Sequence, residues 1–335
     1  MSEELPGYTE AATKSALLAA GASGTIYSLV MPESEAALAA VIDDDRAAFL
    51  DMYRGAWTQK QDAMHDEYFA RWIDWSAPVV AFDAAAFPFR YPTAGASEGI
   101  FKLMAEYAAE CRTQGVPPSI HMFEGEYEGF PAFAGSLGLP VVRHARSDWR
   151  AVAAEAVPDH AQYWISQPSA IDGMVWAEFE AFAAALHAAR PGAALVPDLT
   201  YVGSVARDYR VALDAPNIAA FVISHSKPFG GYYHRVGGVF AKAERPSLFG
   251  NRWFKNLLSL AWGSEMMRRH GVQELPRRYR AVQEAAATSC GAALGIELHA
   301  ADVSLLATAP WRDDLPPLLR SVGRGCAGER WCDCA

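Results

Sequence analysis

Residues 218–224, IAAFVIS, set the tightest limit on what this chain can fold into. Six of the seven positions are apolar, so no wet face alternates with a dry one. A strand that hides both faces lies inside a sheet covered on two sides, the environment of a largely parallel sheet flanked by helices. Runs of the same kind recur at QYWIS (162–166) and AALV (193–196), and SIHMF (119–123), PVVRHA (140–145) and RVGGVFA (235–241) read as further strands. Between them lie segments of helical period: SEGIFKLMAEYAAECR (97–112), the short EGFPAFAGSLG ended by Gly138, and MVWAEFEAFAAALHAAR (174–190), stopped by Pro191 and Gly192. Alternation of this kind predicts an α/β domain with a mostly parallel sheet, spanning about residues 50–245. The flanks differ in character. EAALAAVIDDDRAAFLDMYRGAW and DEYFARWIDW are helical and interrupted, and the chain beyond Pro246 is helical with β-like pieces at IELHAA and VSLLAT. Residues 1–49 and 246–335 are therefore expected to combine as a smaller domain built from both chain ends.

Composition narrows the function. A formal net charge of −10 over 335 residues gives no electrostatic reason to bind nucleic acid or an anionic membrane. No apolar run approaches the roughly 20 residues of a membrane span. The N-terminus, MSEELPGYTEAATK, is acidic and polar, unlike a secretory leader, so a cytoplasmic setting is expected. Five cysteines, three of them in the tail CAGERWCDC, have no matching second ligand cluster, and neither a disulfide framework nor a metal site is expected.

Four stretches carry residues suited to chemistry. TAGASEG (93–99) puts small residues at a helix start, where free backbone N–H groups and the dipole favour an anion. PDLTYVG (197–203) follows the strand AALV, so Asp198 falls at a strand's carboxyl end, where such sheets hold ligands. SHSKPFGGYYHR (224–235) offers hydroxyls, Lys227 and Arg235 beside a buried strand, a setting for a desolvated amine and for phosphate contacts. FEGEYEGF (123–130) supplies Tyr127 past another strand end, with Glu124, Glu126 and Glu128 expected in a solvated loop.

In this order and on these elements, the four stretches resemble the fold-type I pyridoxal-phosphate enzymes, the aminotransferase class I/II superfamily, over roughly residues 85–245. The most specific part is PDLTYVG, then SxSK with its lysine 29 residues past Asp198, then an arginine eight residues past that lysine. The resemblance implies a seven-stranded type of sheet and pyridoxal 5'-phosphate held as a Schiff base on Lys227. It implies that Asp198 pairs with the ring nitrogen and Tyr201 with the ring oxygen. Ser224, Ser226 and Arg235 correspond to phosphate ligands, Ala96 and Ser97 to the loop whose amides hold the same group, and Tyr127 to the aromatic ring stacked on the cofactor. His225 and His234 are expected to pack around the site. A small amino acid as substrate and a homodimer follow from the same resemblance.

Two departures bear on the reaction. Where the family reads NPxNPTG, this chain has SQPSAIDG (166–173), with Ala170 at the asparagine position and Gln167 as the nearby amide that substitutes. Only about 90 residues follow the core, so the small domain is expected to be reduced, with Arg330 as the substrate-carboxylate ligand and Arg324 behind it. Aminotransfer is the leading expectation. The alternatives are a lyase, decarboxylase, cyclase or oxidase of the same fold, a non-catalytic cofactor-binding module, or a nucleotide-binding α/β protein.

Overall fold

Every residue of Ala220–Ser224 is buried, as its lack of alternation demands. The computed structural model describes residues 31–44, 46–58, 62–253, 256–295, 297–310 and 329–332. The chain enters through α1 (Pro32–Ala39), a π turn at Ala40–Asp44, α2 (Arg46–Thr58), α3 (Asp62–Ser76) and the short β1 (Val80–Ala81). Alternation then begins with β2 (Phe89–Thr93), α4 (Ala96–Gln114), β3 (Ile120–Phe123), α5 (Gly129–Ser136) and β4 (Val141–His144). It continues through α6 (Trp149–Ala154), β5 (Gln162–Ser166), α7 (Phe179–Ala189), β6 (Ala194–Asp198), β7 (Val211–Ala212), β8 (Ala220–Ser224) and β9 (Gly237–Ala241). The helices α8 (Leu257–Arg269) and α9 (Glu274–Leu294) follow, then β10 (His299–Ala300), β11 (Ala307–Pro310) and β12 (Glu329–Cys332).

Seven strands form the central sheet in the order β2-β9-β8-β6-β5-β3-β4. Five of them, from β8 to β4, run parallel, while β9 is antiparallel to both β2 and β8. The α/β class and the mostly parallel sheet are as the sequence predicts. The strand β2 was not legible, because FRYPT is short and carries Pro92. At a sheet edge a proline costs little, and β2 pairs only with β9. A separate antiparallel sheet joins β10, β11 and β12.

Both faces of the sheet are covered. On one, α4 packs Ile100, Leu103, Met104 and Tyr107 over Met122, Trp164, Val196 and Val222. On the other, α3 lays Phe69 and Trp72 against Phe240, with ring centroids 5.0 and 5.1 Å apart. The helix expected over 174–190 starts at Phe179 instead. The N–H groups of Val175 and Trp176 are taken by the side chains of Asp302 and Gln167, each at 3.0 Å, so this stretch is held in a loop.

The register fixes where chemistry can occur. Phe123, Ser166, Asp198 and Ser224 end the parallel strands β3, β5, β6 and β8 along one edge. The edge also holds Thr93, the end of β2, because Thr93 and Ser224 both pair with Gly237 of β9.

Candidate active site

The carboxyl edge of the sheet gathers groups suited to holding an anion, a candidate cradle. Gly95 precedes α4 with φ 81° and no side-chain cap, which leaves the first amides of a 19-residue helix facing the strand ends. A methyl group placed on Gly95 would lie 3.1 Å from Arg235 Nη2 and 3.5 Å from Ser224 Oγ. The cradle therefore gathers the helix start, a guanidinium and a hydroxyl around one backbone position. Close approach requires a second glycine. A Cβ on Gly237 would stand 2.2 Å from the Ile223 carbonyl oxygen and 3.0 Å from Gly95 Cα. Arg235 has φ 49°, the one non-glycine in the left-handed region among the described residues, and its Nη2 donates to the Ala94 carbonyl at 2.8 Å. Such backbone strain clusters where a side chain must be aimed. Ser226 extends the cradle: its N–H donates to Ser224 Oγ at 3.2 Å, and the two hydroxyls are 3.1 Å apart. Ser97, in the first turn of α4, has its hydroxyl 3.2 Å from the Tyr127 phenol, which brings that half-buried ring to the cradle. Ala96, beside it, is buried.

Asp198 ends β6, between the ends of β5 at Ser166 and β8 at Ser224, and is 4 % exposed. Its carboxylate accepts from Thr200 N–H at 2.9 Å and Thr200 Oγ at 2.5 Å. Burial outweighs these donors and pushes its pKa up to about 6. A buried carboxyl of this kind suits a ring N–H⁺ as partner. Lys227 is half-buried in the turn that follows β8, and its carbonyl accepts from Gly230 N–H at 3.4 Å. Tyr201, three residues past Asp198, is half-buried against Ala170, Val205 and Ala301, in the same cluster as Tyr127. The donor set fits pyridoxal phosphate at both ends. The cradle supplies cationic and N–H groups for a phosphate, and Asp198 supplies an anion on a neighbouring strand for the ring.

No family model and no curated protein matches this sequence. Solved structures do match in three dimensions. An N-succinyldiaminopimelate aminotransferase from Mycobacterium tuberculosis superposes with a TM-score of 0.68 at 14 % identity, over 98 % of this chain and 93 % of that one. Apo-BacF from Bacillus subtilis gives 0.65 at 14 %, over 93 % and 89 %. YbdL from Escherichia coli, for which a methionine aminotransferase function is reported, gives 0.61 at 16 %, over 92 % and 83 %. The chain has the fold of the class I aminotransferases.

Within this aminotransferase fold, the chain's own departures are local. Gln167 is 1 % exposed; its Nε2 donates to the Trp176 carbonyl at 3.0 Å, and its Oε1 accepts from the Trp176 N–H at the same distance. Its amide thus pins the 167–176 loop, while its own N–H donates to the Asp198 carbonyl at 2.9 Å. Ala170 is buried at the position discussed above for asparagine. Segment 301–306 closes on this loop: Val303 N–H donates to the Gly173 carbonyl at 2.9 Å, and Asp302 holds Arg207 through two bonds of 2.7 and 2.5 Å. Arg330 sits in β12 opposite Ala309 of β11; its side chain, and all of Arg324, lie outside the described residues. Cys326 and Cys334 of the tail also lie outside them. His225 and His234 both pack: His225 is fully buried and stacks on Phe229 at 5.2 Å, and His234 stacks on Trp262 at 4.0 Å.

Two residues were invisible to sequence reasoning. Gly95 was signalled only as part of a small-residue run. Glu126, expected in solvent, is 8 % exposed and bonded to the end of β5. Nothing local marks one glutamate of three as buried, since its partner is 40 residues away. Among the described residues, no helix is long and apolar enough to cross a membrane.

Proposed function

We propose that the chain is a pyridoxal-phosphate-dependent enzyme acting on a small amino acid, in the first instance an aminotransferase. The observation that carries this is the convergence at one sheet edge of Gly95, Ser224 and Arg235 as an anion cradle, with buried Asp198 on the adjacent strand. When bound, the cofactor supplies an electron sink for a carbanion at the substrate α-carbon. In this reading the amides at Ala96 and Ser97, the hydroxyls of Ser224 and Ser226 and the Arg235 guanidinium bind the phosphate. Asp198 keeps a proton on the ring nitrogen, Tyr201 donates to the ring oxygen and Tyr127 covers the ring. Lys227 holds the cofactor as a Schiff base, and its freed amine moves the α-proton. Arg330 takes the substrate carboxylate, Gln167 braces the loop beneath the ring, and the protein works as a homodimer.

One observation favours a second outcome for the same carbanion. Ala170 offers no amide where the family carries asparagine, and the Gln167 amide is engaged with Trp176. Elimination, decarboxylation, cyclisation or oxidation is therefore the alternative chemistry. The test is spectroscopic. Purified protein given pyridoxal phosphate should develop a visible absorption band that survives dialysis, and Lys227→Ala should not retain it. Exchange of an amino donor and a keto acid into the opposite pair supports aminotransfer, whereas release of ammonia, carbon dioxide or peroxide supports the alternative. Wild-type protein that stays colourless with added cofactor overturns the proposal.

A further inference from the structure

The proposed site assigns no role to Glu126, yet Glu126 is among the most enclosed carboxyl groups of the chain. It follows β3, past Gly125 at φ 83°, and turns inward between strand ends. Its oxygens take the Ser166 N–H at 3.1 and 3.2 Å and lie 2.5 Å from the Ser166 hydroxyl. That hydroxyl accepts from Ala170 N–H at 2.6 Å, so Glu126, Ser166 and the 166–170 turn form one bonded unit. Ser166 is also the register partner of Asp198. We propose that Glu126 is a positioning residue for the cofactor floor: through Ser166 it fixes the 166–170 turn, and across the Ser166–Asp198 register its carboxyl is coupled to that of Asp198.

The electrostatics agree with the geometry. Burial is the largest influence on Glu126 and raises its pKa to about 8, with the Asp198 charge acting in the same direction. Donation from Ser166 and the charge of Arg146 act against it, and Arg146 is itself paired with Asp172. Asp198, which titrates near 6, loses its proton first, so Glu126 must ionise against a charge already present. At neutral pH the pair then carries one charge, matched to one ring N–H⁺. As an acid, Glu126 still presents an acceptor oxygen to the Ser166 N–H and hydroxyl.

This inference rests on the proposed cofactor, but its first test does not need the cofactor. Infrared titration of cofactor-free protein should show a protonated carboxyl at pH 7 that disappears near pH 8 and is missing in Glu126→Gln. In Asp198→Asn the same transition should move to lower pH, a shift that a purely structural carboxyl would not make. Persistence of the band in Glu126→Gln, or no movement in Asp198→Asn, overturns the proposal. The second test compares pyridoxal phosphate affinity. Glu126→Gln should bind within about threefold of wild type, and Glu126→Ala at least about tenfold more weakly, because the Ser166 donors are left unpaired. Alanine performing as well as glutamine overturns the role of Glu126 alone, while wild-type protein that binds no cofactor overturns the functional proposal and the floor with it. Should the Glu126 variants fail to fold, the wild-type and Asp198→Asn titrations still decide the coupling.

Discussion

At the scale of single residues, Arg235 is the most constrained cation of the site. Its backbone is left-handed at φ 49°, its guanidinium donates to Ala94, and the Gly95 backbone lies against it. A lysine has no planar fork and would hold only one of these directions. If the cradle takes a phosphate, Arg235→Lys should lower the preference for pyridoxal phosphate over unphosphorylated pyridoxal by about tenfold, the scale of a charged hydrogen bond. Fluorescence titration with both compounds measures it, and an unchanged ratio removes Arg235 from the phosphate site. Asp198 could be placed from the sequence because it closes an apolar run and so ends a buried strand, whereas Lys227 and Arg235 fall in the connection between β8 and β9 and were marked by the family resemblance. Glu126 could not be placed, because its burial depends on Ser166 on another strand.

Among elements, the least legible feature is the contact between segment 301–306 and the 166–176 loop. The periodicity of 174–190 predicts a helix throughout, and locally that prediction is sound. Asp302 overrides it from a distance by accepting the Val175 N–H while it binds Arg207. Asp302 is 9 % exposed, and Arg207 is about half in solvent, which limits what their ion pair contributes. Asp302→Ala should therefore destabilise the fold by about 1–3 kcal/mol, most of it from the Val175 N–H left unpaired. Chemical denaturation measures the loss, and hydrogen exchange should rise at Val175 and Val303 first, since Val303 is bonded to Gly173. A uniform rise in exchange across the sheet would contradict this local account. The strands, by contrast, were legible from apolar runs alone, because a central strand with two covered faces leaves no other place for them. The edge strand β2, with its proline, and the two-residue strands β1 and β7 escaped.

For the whole molecule, the buried titratable groups predict an asymmetric pH response. His225 is fully buried with neither ring nitrogen bonded, and burial lowers its pKa to about 3 from 6.5. The unfolded chain therefore binds a proton that the native state refuses, so stability falls as pH drops from 6.5 towards 3. Glu265, drawn down to about 2 chiefly by Arg268, adds to the loss on the acid side as pH falls below the usual carboxylate range. Glu126 acts in the opposite direction. Its native pKa of about 8 lies above the ordinary 4.5, so the native state keeps a proton that the unfolded state releases, and stability falls as pH rises from 4.5 to 8. Asp198, raised from 3.8 to about 6, erodes stability in the lower part of the same range. Between 4.5 and 6.5 these slopes oppose one another, and above 6.5 Glu126 acts without His225. The melting temperature of cofactor-free protein should therefore be highest between about pH 4.5 and 6.5 and decline on both sides. His225→Phe, whose ring can keep the packing against Phe229, should flatten the acid decline without abolishing it, because Glu265 remains. Glu126→Gln should flatten the decline between pH 6.5 and 8 and leave the acid side unchanged. Should both variants keep the wild-type profile, the buried carboxyl and imidazole are not the groups that set it, and surface ion pairs such as Arg278–Glu33 become the place to look.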